Sequence, residues 1–240
     1  MLKKLVLLSL MMGLLLYGLP TLHAQDAAPI TYGEPVTGNL KEGGQARFTF
    51  EGKAGDIVYI FPQGTDLFST LEFDIRLTDS RNAALGKVYN RERLKPVLLA
   101  ELPADDRYTI MLTGKGSGGY IMTLGKTVNL LPDTETEGEI DPDGSRFYLI
   151  RSAQPLKIAL TYTRLSGTFS PELRIEDFEQ GFPREVAAVS GRALTTATLA
   201  LTLAADVEYL VTLAQKPFDL ASILETTTPQ RYKLSVRSGS

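Results

Sequence analysis

The sequence predicts an all-β protein made of two tandem antiparallel β-sandwich domains of jelly-roll-like type. Short apolar or alternating runs recur roughly every ten residues, separated by turn-forming residues, which is typical of a sandwich or barrel. No window carries a sustained helical period of apolar residues. A pair of tyrosine-led strands in the first half, at Tyr108 and Tyr120, also returns in the second half at Tyr209 and Tyr232.

Residues 1–24 are predicted to be a secretory signal peptide. Lys3 and Lys4 give a basic start, an apolar run follows over Leu5–Leu16, and Ala24 supplies a small residue at the cleavage site. We therefore expect an extracytoplasmic protein, periplasmic or secreted, with an uncleaved N-terminal anchor as the alternative. No later apolar run approaches the ~20 residues of a transmembrane helix, so no membrane span is expected after cleavage.

The composition argues against several classes of site and partner. The chain has no cysteine, and its one histidine, His23, leaves with the signal peptide. Of the 25 basic residues 23 remain after cleavage, against 28 acidic ones, so the mature net charge is about −5. A mildly acidic surface without a basic cluster argues against nucleic acid as a partner. An exported protein without disulfides must be stabilised by packing alone.

The first sandwich is expected over residues 32–126, after a short mobile lead-in at 25–31. Its predicted strands are Val36–Leu40, Ala46–Phe50, Ile57–Phe61, Leu71–Thr78, Ala84–Tyr89, Pro96–Leu102, Tyr108–Thr113 and Tyr120–Leu124. Alternation along these strands places one apolar set on inner faces, with Arg and Thr outside. That set is Phe48, Phe50, Val58, Ile60, Phe73, Ile75 and Leu77.

The second sandwich is expected over residues 127–240, with a linker at Gly125–Asp133. Its predicted strands are Thr134–Ile140, Arg146–Ile150, Leu156–Tyr162, Glu172–Asp177, Glu185–Val189, Thr198–Leu203, Tyr209–Leu213 and Tyr232–Val236. The halves match at a nearly constant offset, which indicates a tandem repeat. The matched segments are Gln45–Phe50 with Gly144–Leu149, Ile75–Asp79 with Leu173–Asp177, and Ala104–Tyr108 with Ala204–Tyr209.

The four strand-opening tyrosines are expected to support the cores. Such a tyrosine usually packs its ring inside and sends its hydroxyl to a backbone partner at a corner. The alternative is that these rings line a ligand-binding face.

Several motifs of the first half resemble the bacterial pre-peptidase C-terminal (PPC) domain. They are Gly38-Asn39-Leu40, Arg47–Phe50, the Ala54-Gly55-Asp56 turn with the strand after it, Leu71–Asp79, Tyr108–Leu112 and Gly119–Leu124. The second half resembles the family less closely, because Ala153-Gln154-Pro155 replaces the Ala-Gly-Asp turn. The resemblance implies two tandem copies, the second divergent, of a small secreted non-catalytic sandwich. Such domains are often appended to exported peptidases, and in collagenases they bind collagen with calcium.

No catalytic site is predicted. Without histidine or cysteine in the mature chain, catalytic triads and zinc sites held by histidine or thiolate cannot be built. The segment Gly114–Gly119 lacks the spacing of a phosphate-binding loop and is interpreted as a hairpin turn. Several carboxylates could pair for glycoside hydrolysis, but carboxylates on turns usually face solvent, so a hydrolase is the least favoured function. They are Asp105, Asp106, Glu172, Glu176 and Asp177.

The acidic segment Asp133–Gly144 carries carboxylates at alternate positions, which would share one face of an extended strand. There they repel one another unless they are solvated or bridged by a cation. The candidate calcium ligands are Glu135, Glu137, Asp141 and Asp143. The alternative is a solvated acidic linker with an edge strand protected by charge, which needs no cofactor.

The favoured functional interpretation is an exported, non-catalytic binding or scaffolding protein that contacts a protein or polysaccharide surface. Its candidate contact residues are Phe68, Phe178 and Phe182, on segments predicted to be the loops Phe61–Ser69 and Phe178–Arg184. The alternative role for these rings is to close the open end of each core. The alternative function is a structural spacer or a subunit of an envelope or secreted complex.

Overall fold

The computed structural model describes residues 27–65, 71–89, 96–140, 144–167, 171–179, 182–191, 194–215 and 229–239. The predicted signal peptide lies outside these ranges. The strands are β1 Ala28–Pro29, β2 Val36–Leu40, β3 Gln45–Gly52, β4 Ile57–Gly64, β5 Glu72–Thr78, β6 Ala84–Leu85, β7 Lys87–Tyr89, β8 Val97–Glu101, β9 Asp106–Lys115, β10 Gly118–Thr127, β11 Thr134–Ile140, β12 Ser145–Arg151, β13 Leu156–Arg164, β14 Pro171–Glu179, β15 Phe182–Ser190, β16 Thr196–Leu203, β17 Glu208–Gln215 and β18 Gln230–Ser238.

The strands form two sandwiches, each from one half of the chain. The first pairs a sheet of order β1-β3-β9-β5-β6 with a sheet of order β2-β10-β4-β8-β7. The second pairs a sheet of order β12-β17-β14-β15 with a sheet of order β11-β18-β13-β16. Apart from β1, which runs parallel to β3, the paired strands are antiparallel. The predicted fold class, two tandem antiparallel sandwiches, is confirmed.

The strand order of the first sandwich recurs in the second. The order β3-β9-β5 is answered by β12-β17-β14, and β2-β10-β4-β8 is answered by β11-β18-β13-β16. In both halves a glycine faces a tyrosine ring across the strand pair: Gly38 pairs with Tyr120, and Gly138 pairs with Tyr232. The two halves therefore share local packing as well as topology.

One of the predicted matches between the halves is wrong by one residue. The sequence match equates Phe48 with Phe147. In the sheets, Phe48 pairs with Ile110, and Tyr148 pairs with Val211. Ile110 and Val211 are equivalent, because each lies two residues after the strand-opening tyrosine of its half. The counterpart of Phe48 is therefore Tyr148. Because side chains alternate along a strand, the shift turns Phe147 away from the second core.

Each sandwich encloses its own apolar core. All seven side chains predicted for inner faces of the first half are buried in the first core. The second core is built from β11 to β18 in the same way and includes Tyr148, Leu160, Ile175 and Val211. Burying such side chains contributes roughly 1.5–3 kcal/mol each, which lets packing replace disulfides.

Two segments expected to be loose are tied into the sheets. Ala28 and Pro29 of the expected lead-in pair with β3, and Ile30 is buried in the first core. The expected linker begins as strand, since β10 continues to Thr127. Beyond it, the Leu130 amide donates to the Leu149 carbonyl at 2.7 Å, and the Leu130 side chain is buried in the second core.

The glycine-rich segment Gly114–Gly119 is not a hairpin turn. It joins β9 to β10, and these strands lie in opposite sheets of the first sandwich. The segment therefore crosses one end of the sandwich, and Gly116 adopts the left-handed conformation (φ 102°) that a glycine tolerates best. Nowhere in the described ranges does the chain form a helix with the length and apolar character that a membrane crossing requires.

Candidate functional site: the junction and the exposed strands

The two sandwiches meet face to face through strands that are buried on both sides. In β4, every residue from Ile57 to Phe61 is buried, and in β12 the same holds from Phe147 to Ile150. In β4, the alternate residues Val58 and Ile60 belong to the first core. The residues between them point out of the sandwich and are covered by the other one.

A separate apolar cluster fills this junction. Its members come from both halves: Ile57, Tyr59, Phe61, Tyr89, Val97, Leu99, Phe147, Leu149 and Leu210. Phe147 is central, since its ring centroid lies 5.1 Å from that of Tyr59 and 5.0 Å from that of Phe61. The Thr127 hydroxyl donates to the Phe147 carbonyl, so the connection between the halves is bonded to the same strand.

Two ion pairs of opposite sense span the rim of the junction. Lys87 of the first sandwich lies 2.6 Å from Glu208 of the second, and Arg151 of the second lies 2.8 Å from Glu101 of the first. These pairs are partly exposed and contribute little energy, but they favour one register of the two faces. Between them lies a cavity of about 250 Å³ whose wall includes Tyr89. Burial, and then the nearby Glu208 carboxylate, raises the pKa of Tyr89.

The four strand-opening tyrosines are buried in the cores as predicted, but the predicted backbone partner at a corner is found for Tyr108 and Tyr209, whereas the Tyr232 hydroxyl bonds another side chain. The Tyr108 hydroxyl donates to the Ala104 carbonyl at 2.7 Å, and the Tyr209 hydroxyl accepts from the Ala204 amide at 2.9 Å. The same corner is therefore bonded in both halves, with the roles of donor and acceptor exchanged. Burial raises the pKa of Tyr108.

The remaining two strand-opening tyrosines are also buried, since Tyr120 is 4% exposed and Tyr232 is 1% exposed. The Tyr232 hydroxyl bonds that of Tyr148 inside the second sandwich, and burial raises the pKa of both tyrosines. Tyr32 packs edge-on against Phe50, and burial raises its pKa to about 12.

The carboxylates considered for hydrolysis bond to turns and arginines. Asp106 accepts from the Ser80 hydroxyl at 2.7 Å and from its amide, which lowers the pKa of Asp106. Asp105 accepts from the Ala54 amide at 2.8 Å. Arginines lie against two of the others, since Arg174 is 2.7 Å from Glu172 and Arg184 is 2.5 Å from Asp177, while Glu176 is buried.

Asp79, directly after β5, and Asp177, inside β14, occupy matching positions in the two halves and are both buried. Asp79 accepts from the Ala83 amide at 2.8 Å and from the Arg81 amide at 3.0 Å. The Ala83 bond, with further bonds from Arg81, lowers the pKa of Asp79. Asp79 therefore organises the turn after β5, whereas Asp177 pairs with the Arg184 side chain across the β14–β15 hairpin.

The acidic strand β11 is an edge strand, and two of its carboxylates are paired with basic residues of the neighbouring β18. The two oxygens of Glu135 lie 3.0 Å from Lys233 and 3.1 Å from Arg237, and Glu137 lies 3.0 Å from Arg231. The Lys233 hydrogen bond lowers the pKa of Glu135. Asp141 and Asp143 lie outside the described residues. Among the residues that the structure describes, no cluster of three potential metal ligands occurs. The calcium site stays a prediction.

The candidate contact phenylalanines are placed only in part. Phe68 lies outside the described residues. Phe178 and Phe182 are not in an open loop, because β14 continues to Glu179 and β15 begins at Phe182, where the two strands pair. They therefore flank the tip of a β-hairpin. The other expected loop also starts later, since Phe61 is part of β4 and is buried in the junction.

The sequence interpretation missed the junction. Its signal was present: Ile57–Phe61 and Phe147–Ile150 are continuous apolar runs rather than alternating ones. A short continuous run bounded by turn residues is typical of a strand buried on both faces. Alternation along the strand predicts a covered surface only for the inward residues, and it therefore assigns no partner surface to Tyr59 and Leu149.

Comparison with known proteins finds weak structural similarity. No family model matches the chain, and no curated protein matches it. Similar solved structures include the pre-peptidase C-terminal domain of collagenase from Bacillus anthracis, with 14% identity over 46% of this chain and 94% of that one, at a TM-score of 0.33. The periplasmic g-type lysozyme inhibitor PliG of Aeromonas hydrophila has 15% identity over 47% of this chain and 96% of that one, also at 0.33.

The STIV MCP is similar at 10% identity over 86% of this chain and 96% of that one, with a TM-score of 0.27. All three scores lie below 0.5, so the fold assignment rests on the strand pairing and the cores described above.

Proposed function

We propose that the chain is an exported, non-catalytic scaffold that presents a binding surface to a protein or polysaccharide outside the cytoplasm. The observation that carries the proposal is the junction. Nine apolar side chains and two ion pairs of opposite sense fix the sandwiches against each other. A fixed pair of sandwiches suits a protein that holds its contact points at a set distance, because little conformational entropy is then lost on binding.

The proposal includes the family and the contact point. We assign both sandwiches to the PPC type, on the motifs of the first half and the recurring strand order of the second. We place the contact at the end of the β14–β15 hairpin, where Phe178 and Phe182 supply two aromatic residues, because aromatic residues are enriched among those that carry binding energy.

Affinity capture from the extracytoplasmic fraction tests this proposal. The bait is the mature chain, compared with the double variant Phe178→Ala/Phe182→Ala and with the control Val186→Ala, an exposed residue of β15. Loss of a captured partner in the double variant alone, with the melting temperature retained, is the expected result. A double variant that melts early but still captures the partner would assign these rings to the core, and capture unaffected by the double variant would remove the contact point.

The alternative function is a spacer subunit of a larger complex. It is favoured if the mature chain used as bait captures no partner, while the native protein purifies from the cell envelope as part of an intact assembly. The same rigid junction serves that alternative, and the intact assembly is the observation that would favour it.

A further inference from the structure

The two sandwiches differ at one edge. In the first, the chain after β5 divides into β6, which pairs with β5, and β7, which crosses to the other sheet and pairs with β8. In the second, the corresponding chain is the single strand β15, which pairs with β14 along its whole length. Consequently β16, the counterpart of β8, pairs with β13 alone within the described ranges.

Within the described ranges no strand takes the position beside β16 that β7 takes beside β8, and the first sandwich shows that the fold can fill this position. In the first sandwich, Lys87 to Tyr89 lie antiparallel to Val97 to Leu99, which shows that this edge accepts an added strand. An uncovered edge presents a row of unpaired backbone amides and carbonyls and is therefore a template for another extended segment.

The edge of β16 also lacks the devices that usually block such pairing. Other long edge strands of the second sandwich carry charges: Glu135 and Glu137 on β11, and Arg184 and Glu185 on β15. By contrast β16, Thr196–Leu203, contains no charged residue, proline or glycine. Its outward side chains are the small residues threonine and alanine.

The sequence of β16 is suited to antiparallel pairing with a second copy of the same strand. Thr198-Leu199-Ala200-Leu201-Thr202 reads the same in both directions about Ala200. Two antiparallel copies centred on Ala200 would oppose Leu199 to Leu201 of the second copy, and Thr198 to Thr202 of the second copy. Like residues would then meet on the same face, as a two-fold axis requires.

We propose that β16 is a homodimerisation edge, which joins β16 of a second copy to make one eight-stranded sheet from the two four-stranded sheets β11-β18-β13-β16. The leucines of the two copies extend one apolar face across the axis. Leu201, only partly buried against the second core, gains cover from the added strand.

Analytical ultracentrifugation of the mature chain over a micromolar concentration series tests the proposal. The expected result is a monomer–dimer equilibrium. Ala200→Lys, at an exposed position, should weaken the dimer about tenfold or more, because it places two like charges opposite each other at the axis. The matched control Ala188→Lys, at an exposed position of the β15 edge, should leave the equilibrium unchanged.

A single cysteine gives an independent readout, since the chain has no cysteine of its own. In an antiparallel pair the Cα atoms at the axis lie about 4.5–5.5 Å apart, within disulfide range. Ala200→Cys should therefore form a covalent dimer under mild oxidation, and Ala188→Cys should not. A chain that stays monomeric while both cysteine variants oxidise at the same rate would overturn the proposal, as would a dimer indifferent to Ala200→Lys.

Discussion

The two sandwiches share one strand order but use different sheets to meet. The first contributes the sheet that contains β4 and β8, and the second contributes the sheet that contains β12 and β17, which is the counterpart of the other sheet of the first. The stacking is therefore head-to-tail. Such stacking would continue into a fibre if each sandwich had two apolar outer faces.

The outer faces away from the junction are polar. On the first sandwich, Arg47, Arg76 and Arg107 are exposed on β3, β5 and β9. On the second, the Thr161 and Thr198 hydroxyls bond to each other at 3.0 Å, beside the charged pairs of β11 and β18. The two kinds of outer face differ in their outward side chains. Apolar outward residues on β4 and β12 make the two sandwiches stack on each other, and polar outward residues on the remaining faces prevent further stacking.

The largest effect is expected from breaking the junction. Phe147→Ala should lower the free energy of unfolding by about 3 kcal/mol, since it removes a ring enclosed between Tyr59 and Phe61. Urea denaturation should then resolve two transitions in place of one, because the sandwiches no longer stabilise each other. The control Val186→Ala, 37% exposed, should change stability by less than about 0.5 kcal/mol. A Phe147→Ala variant as stable as this control would contradict the account of the junction.

A matched pair of glycines compares the two halves directly. A Cβ at Gly38 would lie 2.6 Å from the Tyr120 hydroxyl, and one at Gly138 would lie 2.5 Å from the Tyr232 hydroxyl. Each change to alanine should cost about 1–3 kcal/mol of stability. Gly138→Ala should cost more, because Tyr232 is also held by its hydrogen bond to Tyr148. Thermal melting beside the exposed control Thr37→Ala checks this, and two unaffected variants would refute the packing.

The corner tyrosines should give a smaller difference. Tyr108→Phe removes one donor from the Ala104 carbonyl, whereas Tyr209→Phe removes the acceptor of the Ala204 amide. Each should cost about 1 kcal/mol. The second should cost more, because an amide has one hydrogen to place while a carbonyl has two lone pairs. Equilibrium denaturation of both variants measures the order, and the reverse order would count against this reasoning.

Calcium is expected to have the smallest effect. Both oxygens of Glu135 already bond to basic side chains, and Glu137 bonds to Arg231. Adding millimolar calcium should therefore leave the melting temperature unchanged relative to chelator. A clear rise that is lost in Glu135→Gln would restore the calcium site and would show that the ion displaces Lys233 and Arg237.

The sequence by itself determined most of the strands, the inner faces of the first sandwich and the corners at Tyr108 and Tyr209. Alternation identified residues such as Phe48 and Leu77 because burial on one face imposes a period of two. The tyrosines were predictable because a ring with a polar tip suits a strand end where a backbone group is in reach. The acidic strand was recognisable, but its basic partners on β18 were not, since they lie about a hundred residues away.

Only the tertiary structure decided which outward residues are covered. Tyr59 and Phe147 lie on the two sheet faces that meet at the junction, and no local pattern states that one half will pack on the other. The register error at Phe147 has the same origin, because a one-residue shift keeps the local sequence similarity but exchanges the faces. Strand formation follows from the local period of the side chains, whereas stacking depends on the apolar surface that each finished sheet leaves exposed.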